Sequence, residues 1–148
     1  MSKYFWWAAA ILICVMIFSF SCENADESTE TSRGLISKII DFITADMPQI
    51  QREQLAEALD GLVRKLAHFS IFAALGFFLL GATRRSFDKY TAVITIVFCV
   101  FYAVTDEVHQ LFVPGRSGQI TDVLVDGSGS AAGMLVYFCM ARILPKKL

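Results

Sequence analysis

Charged residues are scarce in this chain: they make up 18% of its 148 residues, whereas 55% are hydrophobic. Such a composition excludes a disordered chain, which would carry more charge and less apolar surface. Neither sign of charge dominates, because 13 Lys and Arg stand against 14 Asp and Glu and leave a net charge of −1. Without a basic excess there is no electrostatic basis for binding nucleic acid, so nucleic acid is not expected as a partner.

The sequence also lacks the usual patterns of covalent and metal chemistry. Of its four cysteines only Cys22 lies at the end of a long apolar block, and the other three lie inside such blocks, so no disulfide framework is predicted. There is no His-x-x-x-His pair, no Glu-x-x-His pair and no cysteine ligand set, and we therefore predict neither a metal site nor a cofactor. A Ser or Cys nucleophile elbow is missing as well.

What the chain does contain is four apolar blocks long enough to cross a bilayer. They predict an all-α membrane protein that forms one domain over residues 1–148. Residues 23–65 are predicted to be an outer linker followed by amphipathic helices, because apolar residues recur there at helical spacing. The predicted spans are residues 4–22, 66–83, 90–105 and 120–144.

The basic residues near the spans predict the orientation, since Lys and Arg of short connections are retained in the cytoplasm. Four spans then leave both termini in the cytoplasm, with residues 23–65 and 106–119 outside. The alternative for the first block is a cleaved signal peptide or a lipoprotein signal, because a charged start, an apolar stretch and small residues precede Cys22. The basic clusters are Lys3, then Arg84, Arg85 and Lys89, and finally Arg142, Lys146 and Lys147.

Ionisable residues at the ends of the spans are costly to bury, so each is a candidate site residue. The alternation of span direction places all of them at the outer ends, at one depth. Asp122 and Asp126 are four residues apart and share one face of a helix near its N-terminus. The candidates are His68, Asp106, Glu107, Asp122 and Asp126.

The loop before the last span adds a cation to this cluster. Arg116 follows Pro114 and Gly115, whose backbone preferences suit a tight turn that holds the guanidinium near a carboxylate or an anionic headgroup. Gly118 permits a positive φ, and His109 and Gln110 add hydrogen-bond donors nearby. Three interpretations stay open: a structural polar network, a binding site for an anionic lipid or lipid-linked group, and a catalytic or metal site, of which the metal site has the weaker sequence signal.

The last span also carries a face of small residues around Gly129 and Gly133, with Ser128, Ala131 and Ala132 close by. Such a face lets another helix approach closely. The neighbour is either another helix of this chain or a second copy in a homo-oligomer.

Three stretches of sequence resemble the VanZ-like family of integral membrane proteins. They are Arg64-Lys65-Leu66-Ala67-His68-Phe69, then Thr105 to Arg116 with its Asp-Glu-x-x-Gln and Pro-Gly-Arg elements, then Asp122-Val123-Leu124-Val125-Asp126. The resemblance covers roughly residues 63–137. One departure is Ile71-Phe72, where the family often has an acidic residue followed by Tyr, and another is Asp126, where members often have Asn.

The resemblance implies a multi-pass protein of the bacterial plasma membrane, in a family whose founding member is associated with low-level resistance to teicoplanin. It implies that the site is built from Lys65, His68, Asp106, Glu107, Gln110, Arg116, Asp122 and Asp126. The leading hypothesis is an outer-facing site that engages an anionic lipid or cell-wall precursor. The alternatives are a membrane enzyme acting on a lipid-linked substrate, with His68, Asp106, Glu107 or Asp122 as catalytic candidates, and a structural or partner-binding subunit.

Overall fold

A computed structural model describes residues 2–23, Gly34, Ile36 and 48–143 of the chain. The predicted outer linker and the first part of the amphipathic segment lie outside the described residues, apart from a few positions. All regular structure in the described residues is α-helical, which confirms the predicted all-α class.

Four helices follow one another in the described part of the chain. Helix α1 spans Lys3–Ser21, α2 spans Gln49–Thr83, α3 spans Thr91–Gln110 and α4 spans Ile120–Ile143. Each is long and apolar enough to cross a membrane. The protein is therefore a multi-pass membrane protein with four candidate spans in its described residues.

Helix α2 is longer than a bilayer requires. It contains 35 residues, or about 52 Å at 1.5 Å per residue, against a hydrocarbon core of about 30 Å. The sequence predicted amphipathic helices up to residue 65 and a separate span from 66, but the structure has one helix there, since no proline lies between Gln49 and Thr83 to interrupt it. Helix α3 likewise continues past its apolar block to Gln110, and the acidic pair Asp106 and Glu107 is helical.

Glycines allow α2 and α4 to pack closely. A Cβ on Gly133 would meet the backbone of Ala73, and one on Gly129 would meet the backbone of Phe69. Gly76 of α2 contacts the backbone of Ser130 in the same way. The small-residue face of α4 therefore contacts the chain's own second helix, as the first of the two alternatives predicted.

One end of the bundle, the aromatic end, is built from rings and arginines. Trp6 is buried against Phe77, Phe78 and Tyr137, with ring centroids 5.6–5.7 Å apart. Arg85 lies over the Trp6 ring at 4.5 Å from its centroid. The start of α1 and the ends of α2 and α4 thus meet here. The described basic residues of the predicted inner side share this end: Lys3, Arg84, Arg85, Lys89 and Arg142.

The sides of the bundle are apolar and uncovered. Ile11, Val97, Phe101 and Leu135 each expose 59–65% of their surface. Large apolar side chains on the outside of a soluble domain would favour aggregation, whereas lipid tails solvate them. The exposed faces therefore agree with a bundle that is surrounded by membrane.

Candidate functional site

A cavity of about 240 Å³ opens at the end of the bundle opposite the aromatic end, which we call the cavity end. Its walls come from α2, the C-terminus of α3, the loop between α3 and α4, and the first two turns of α4. The lining residues are Gly61, Arg64, Lys65, His68, Gln110, Gly115, Arg116, Ser117, Gln119, Asp122, Val125 and Asp126.

Ion pairs join α2 to α4 across the cavity. The Lys65 Nζ atom lies 3.3 Å from Asp122 Oδ1, and one turn deeper His68 Nδ1 lies 3.6 Å from Asp126 Oδ1. The spacing is three residues on α2 and four on α4, so both pairs lie on facing helical surfaces. The helical geometry that placed Asp122 and Asp126 on one face thus brings a basic partner to each.

The deepest part of the cavity end holds two buried carboxylates. Asp126 is fully buried, and neither of its oxygens accepts a hydrogen bond within the described residues. Asp106 of α3 is 5% exposed and accepts a hydrogen bond at its Oδ2 atom from Gln110 Nε2 at 2.9 Å. One ligand-type atom from each of His68, Asp106 and Asp126 lies within 4.8 Å of the other two.

The loop from α3 to α4 is attached to α3 by Glu107. The Glu107 Oε2 atom accepts a hydrogen bond from the backbone N–H of Gln119 at 2.8 Å. Gly118 packs on the same residue, because a Cβ there would lie 2.7 Å from the Glu107 carbonyl oxygen. Only Gly115 adopts a positive φ, of 74°, among the described glycines. Gly118 does not use the positive φ that a glycine permits, and close packing on Glu107 explains the glycine there instead.

Arg116 lines the cavity from this loop. Its Nη2 atom donates to the Phe20 carbonyl oxygen, at the end of α1, over 3.4 Å. Within the described chain no carboxylate lies in ion-pairing distance of Arg116. Burial lowers the pKa of Arg116 from its ordinary value, and the charge of Arg64 lowers that pKa further. A guanidinium stays charged in such surroundings, so Arg116 brings an incompletely neutralised positive charge to the cavity.

Six of the eight residues implied by the family resemblance line the cavity. Asp106 and Glu107 do not line the cavity. Asp106 is buried behind the residues that line it, and Glu107 binds the backbone of the loop between α3 and α4. His109 is also directed elsewhere, because its Nδ1 atom is 3.2 Å from Ser21 Oγ and its ring lies against Phe18. The six lining residues are Lys65, His68, Gln110, Arg116, Asp122 and Asp126.

Sequence reasoning did not single out Arg64 as a site residue, yet it lines the cavity. Its Nη2 atom forms an ion pair with Asp60 Oδ2 at 2.7 Å. The signal was available, because Arg64 stands four residues before His68 and therefore shares its helix face. Ser117 and Gln119 also line the cavity, but they belong to the loop, where no helical spacing in the sequence could have indicated it.

Four apolar helices with a charged cavity at one end define a small membrane protein whose polar site lies at the end of its spans. A model of the VanZ/LLP1 family matches residues 6–142, and the chain belongs to that family. The resemblance found in the sequence is thereby confirmed. No curated protein and no solved structure matches the chain.

Proposed function

We propose that this protein binds the phosphate-bearing headgroup of an anionic lipid or lipid-linked cell-wall precursor, and that it thereby lowers sensitivity to teicoplanin-like glycopeptide antibiotics. The main support for the proposal is that Arg116 lines the cavity and its guanidinium has no carboxylate partner in the described residues. Arginine binds phosphate through paired N–H donors, and such charge-assisted bonds are the strong ones.

The size of the cavity favours a headgroup over a larger ligand. Pockets for drug-sized molecules usually measure about 300–1,000 Å³, and this cavity measures about 240 Å³. A glycopeptide antibiotic is too large for it. Protection against such a drug would therefore act through a lipid or precursor and not through capture of the drug.

The depth of the cavity favours a ligand that is anchored in the membrane. Along α2, His68 and Gly61 are 15 and 22 residues from Thr83, or about 22 and 33 Å at 1.5 Å per residue. A hydrocarbon core of about 30 Å that begins near Thr83 ends between these positions. The cavity then lies at the depth of lipid headgroups, with the lipid tails beside the exposed apolar faces.

The distribution of basic residues supports an outward-facing cavity. Lys3, Arg84, Arg85, Lys89 and Arg142 share the aromatic end, and basic residues of short connections stay in the cytoplasm. We propose that both termini are cytoplasmic and that the cavity faces outward in a bacterial plasma membrane. Cell-wall precursors are exposed on that side.

A binding assay in nanodiscs tests the proposal directly. Wild-type protein should bind a polyprenyl phosphate and not the uncharged polyprenol. Arg116→Ala should weaken that binding by about 10- to 100-fold, since a hydrogen bond to a charged group contributes about 1.5–3 kcal/mol. The matched control is Arg142→Ala, an exposed arginine at the aromatic end, which should bind as wild type does. Equal binding of phosphate and alcohol would contradict the proposal.

A susceptibility test connects binding to the cell. Wild type, Arg116→Ala and Arg142→Ala are expressed at equal membrane levels in a sensitive bacterium. We expect wild type and Arg142→Ala to protect the cells, and Arg116→Ala not to. The protection should be stronger against teicoplanin than against vancomycin. Protection that survives Arg116→Ala would separate the resistance phenotype from the cavity.

An enzyme acting on a lipid-linked substrate is the second candidate, and the His68–Asp126 pair favours it. A carboxylate 3.6 Å from Nδ1 is too far for a hydrogen bond but close enough to stabilise a protonated imidazole, as acid–base chemistry at His68 would require, and both side chains line the cavity. Under this candidate, purified protein converts a lipid-linked phosphate or diphosphate and His68→Gln abolishes turnover. Binding without turnover would leave the first proposal standing alone.

A further inference from the structure

We propose that His68, Asp106 and Asp126 form a binding site for one divalent transition-metal cation of the Zn²⁺ class. The three side chains come from α2, α3 and α4, and one ligand-type atom of each lies within 4.8 Å of the other two. Imidazole nitrogen and carboxylate oxygen are ordinary ligands of such a cation. This site goes beyond the proposed lipid binding and does not depend on it.

Uncompensated charge is the first argument for a cation. Asp106 and Asp126 are 5% and 0% exposed, and in the described part of the chain neither forms an ion pair with a lysine or an arginine. The one basic group beside Asp126 there is His68, which compensates the carboxylate only when its imidazole is protonated. Charge buried in a bundle is expensive unless it is paired or coordinates a metal. A divalent cation beside the two carboxylates would supply that charge.

The unsatisfied carboxylate of Asp126 is the second, independent argument. Both of its oxygens are buried without a hydrogen bond from any described residue, although buried polar atoms are nearly always bonded. Its Oδ1 atom is directed toward His68 Nδ1, 3.6 Å away. Two ligands held about 2.1 Å from a tetrahedral cation are about 3.4 Å apart, so this pair already has nearly the required spacing.

The surroundings resemble those of metal sites in one more respect. Gln110 Nε2 donates to Asp106 Oδ2 over 2.9 Å, and such a bond orients a carboxylate that ligates through its other oxygen. His68 and Asp126 both line the cavity, which leaves one side of the proposed cation open to it. Three protein ligands and an open position are the arrangement of reactive zinc sites.

Titration of the purified full-length chain with Zn²⁺ tests the site, after treatment with a chelator. Calorimetry should show one cation bound per chain, and excess Mg²⁺ should not displace it, because Mg²⁺ disfavours a set that contains imidazole. Absence of stoichiometric binding would overturn the proposal and leave protons as the neutralising charge.

Matched variants locate the bound cation. His68→Gln and Asp126→Asn each remove a ligand and should weaken binding by at least about 100-fold, the upper end of what supporting residues cost. His109→Gln changes the only other histidine, and Asp122→Asn changes the carboxylate one turn before Asp126. Both controls should bind as wild type does. Equal losses in the controls and in the ligand variants would overturn the assignment.

A protection experiment on wild-type protein gives the same answer if a variant does not fold. Diethylpyrocarbonate modifies accessible imidazoles, and mass spectrometry reports His68 and His109 separately. Bound Zn²⁺ should suppress modification of His68 and leave that of His109 unchanged. Protection of neither histidine, of both equally, or of His109 alone would overturn the proposal.

Discussion

The aromatic end and the cavity end of this bundle both contain charged side chains, but those side chains differ in how completely they are hydrogen-bonded. At the aromatic end Arg85 Nη1 donates to the Gly81 carbonyl oxygen at 2.7 Å and to the Tyr137 hydroxyl at 3.1 Å, and its guanidinium covers the Trp6 ring. At the cavity end Arg116 keeps one long bond and Asp126 accepts none from the described residues.

The difference indicates what each end is for. A polar group with satisfied partners contributes to stability and specificity, whereas an unsatisfied buried group costs free energy. Unsatisfied buried polar groups are found in proteins mainly at sites where a bound ligand interacts with them and offsets that cost. Mutations at the aromatic end should therefore change stability, and mutations at the cavity end should change binding.

The largest expected effect is at the aromatic end. Trp6→Ala removes a side chain that is 1% exposed, and we expect the unfolding free energy to fall by about 3 kcal/mol, as for other large-to-small core changes. Leu12→Ala, on a lipid-facing position of the same helix, is the control and should change it by less than about 0.5 kcal/mol. Unfolding in detergent measures both. If the Trp6→Ala protein stays folded but no longer binds phosphate, the aromatic end affects binding as well as stability, and the distinction between the two ends is wrong.

The next effect lies between the two ends, where glycines bring α2 and α4 together. Gly133→Ala should lower the unfolding free energy by about 2 kcal/mol, because its Cβ would press on the Ala73 backbone, which cannot yield without moving the helix. Gly127→Ala is the matched control, since its Cβ would meet only Val100 Cγ2 at 3.7 Å. Better helix propensity should leave that variant neutral or stabler by up to about 1 kcal/mol. Equal destabilisation by both would contradict this packing.

The smallest effect on stability is expected at the cavity end. Asp126→Asn removes a buried charge, and a neutral His68 beside the new amide leaves no uncompensated charge. We expect an unfolding free energy that is unchanged or higher by about 1 kcal/mol, together with lost Zn²⁺ binding. A decrease of more than about 1 kcal/mol would instead identify the His68–Asp126 pair as a structural bond between α2 and α4.

The sequence was most informative where structure depends on short stretches of chain. The apolar blocks predicted four helices, and the structure has four candidate spans in the described residues. Boundaries were less accurate, because polar residues such as Asp106 and Glu107 ended a hydropathy block without ending the helix. Hydropathy reports burial in lipid, while a helix continues wherever its backbone hydrogen bonds do.

Site residues divide in a similar way. Helical spacing predicted that Asp122 and Asp126 share a face, and span direction predicted that His68 lies at their depth. Neither could show that His109 turns toward Ser21 or that Glu107 binds the Gln119 backbone, since those contacts depend on how helices rotate about their axes. A rotation of one residue, or 100°, moves a side chain to another neighbour.

The sequence alone was enough to predict the helical class, the four apolar helices, a cluster of basic residues at the aromatic end and the membership of the VanZ/LLP1 family, because each depends only on the type and order of the residues. Tertiary structure decided which polar groups meet: His68, Asp106 and Asp126 approach one another from three helices, and Arg116 reaches the cavity by its loop. The approach of His68 to Asp126 depends on the close packing around Gly129 and Gly133, which sets the rotation and spacing of α2 and α4.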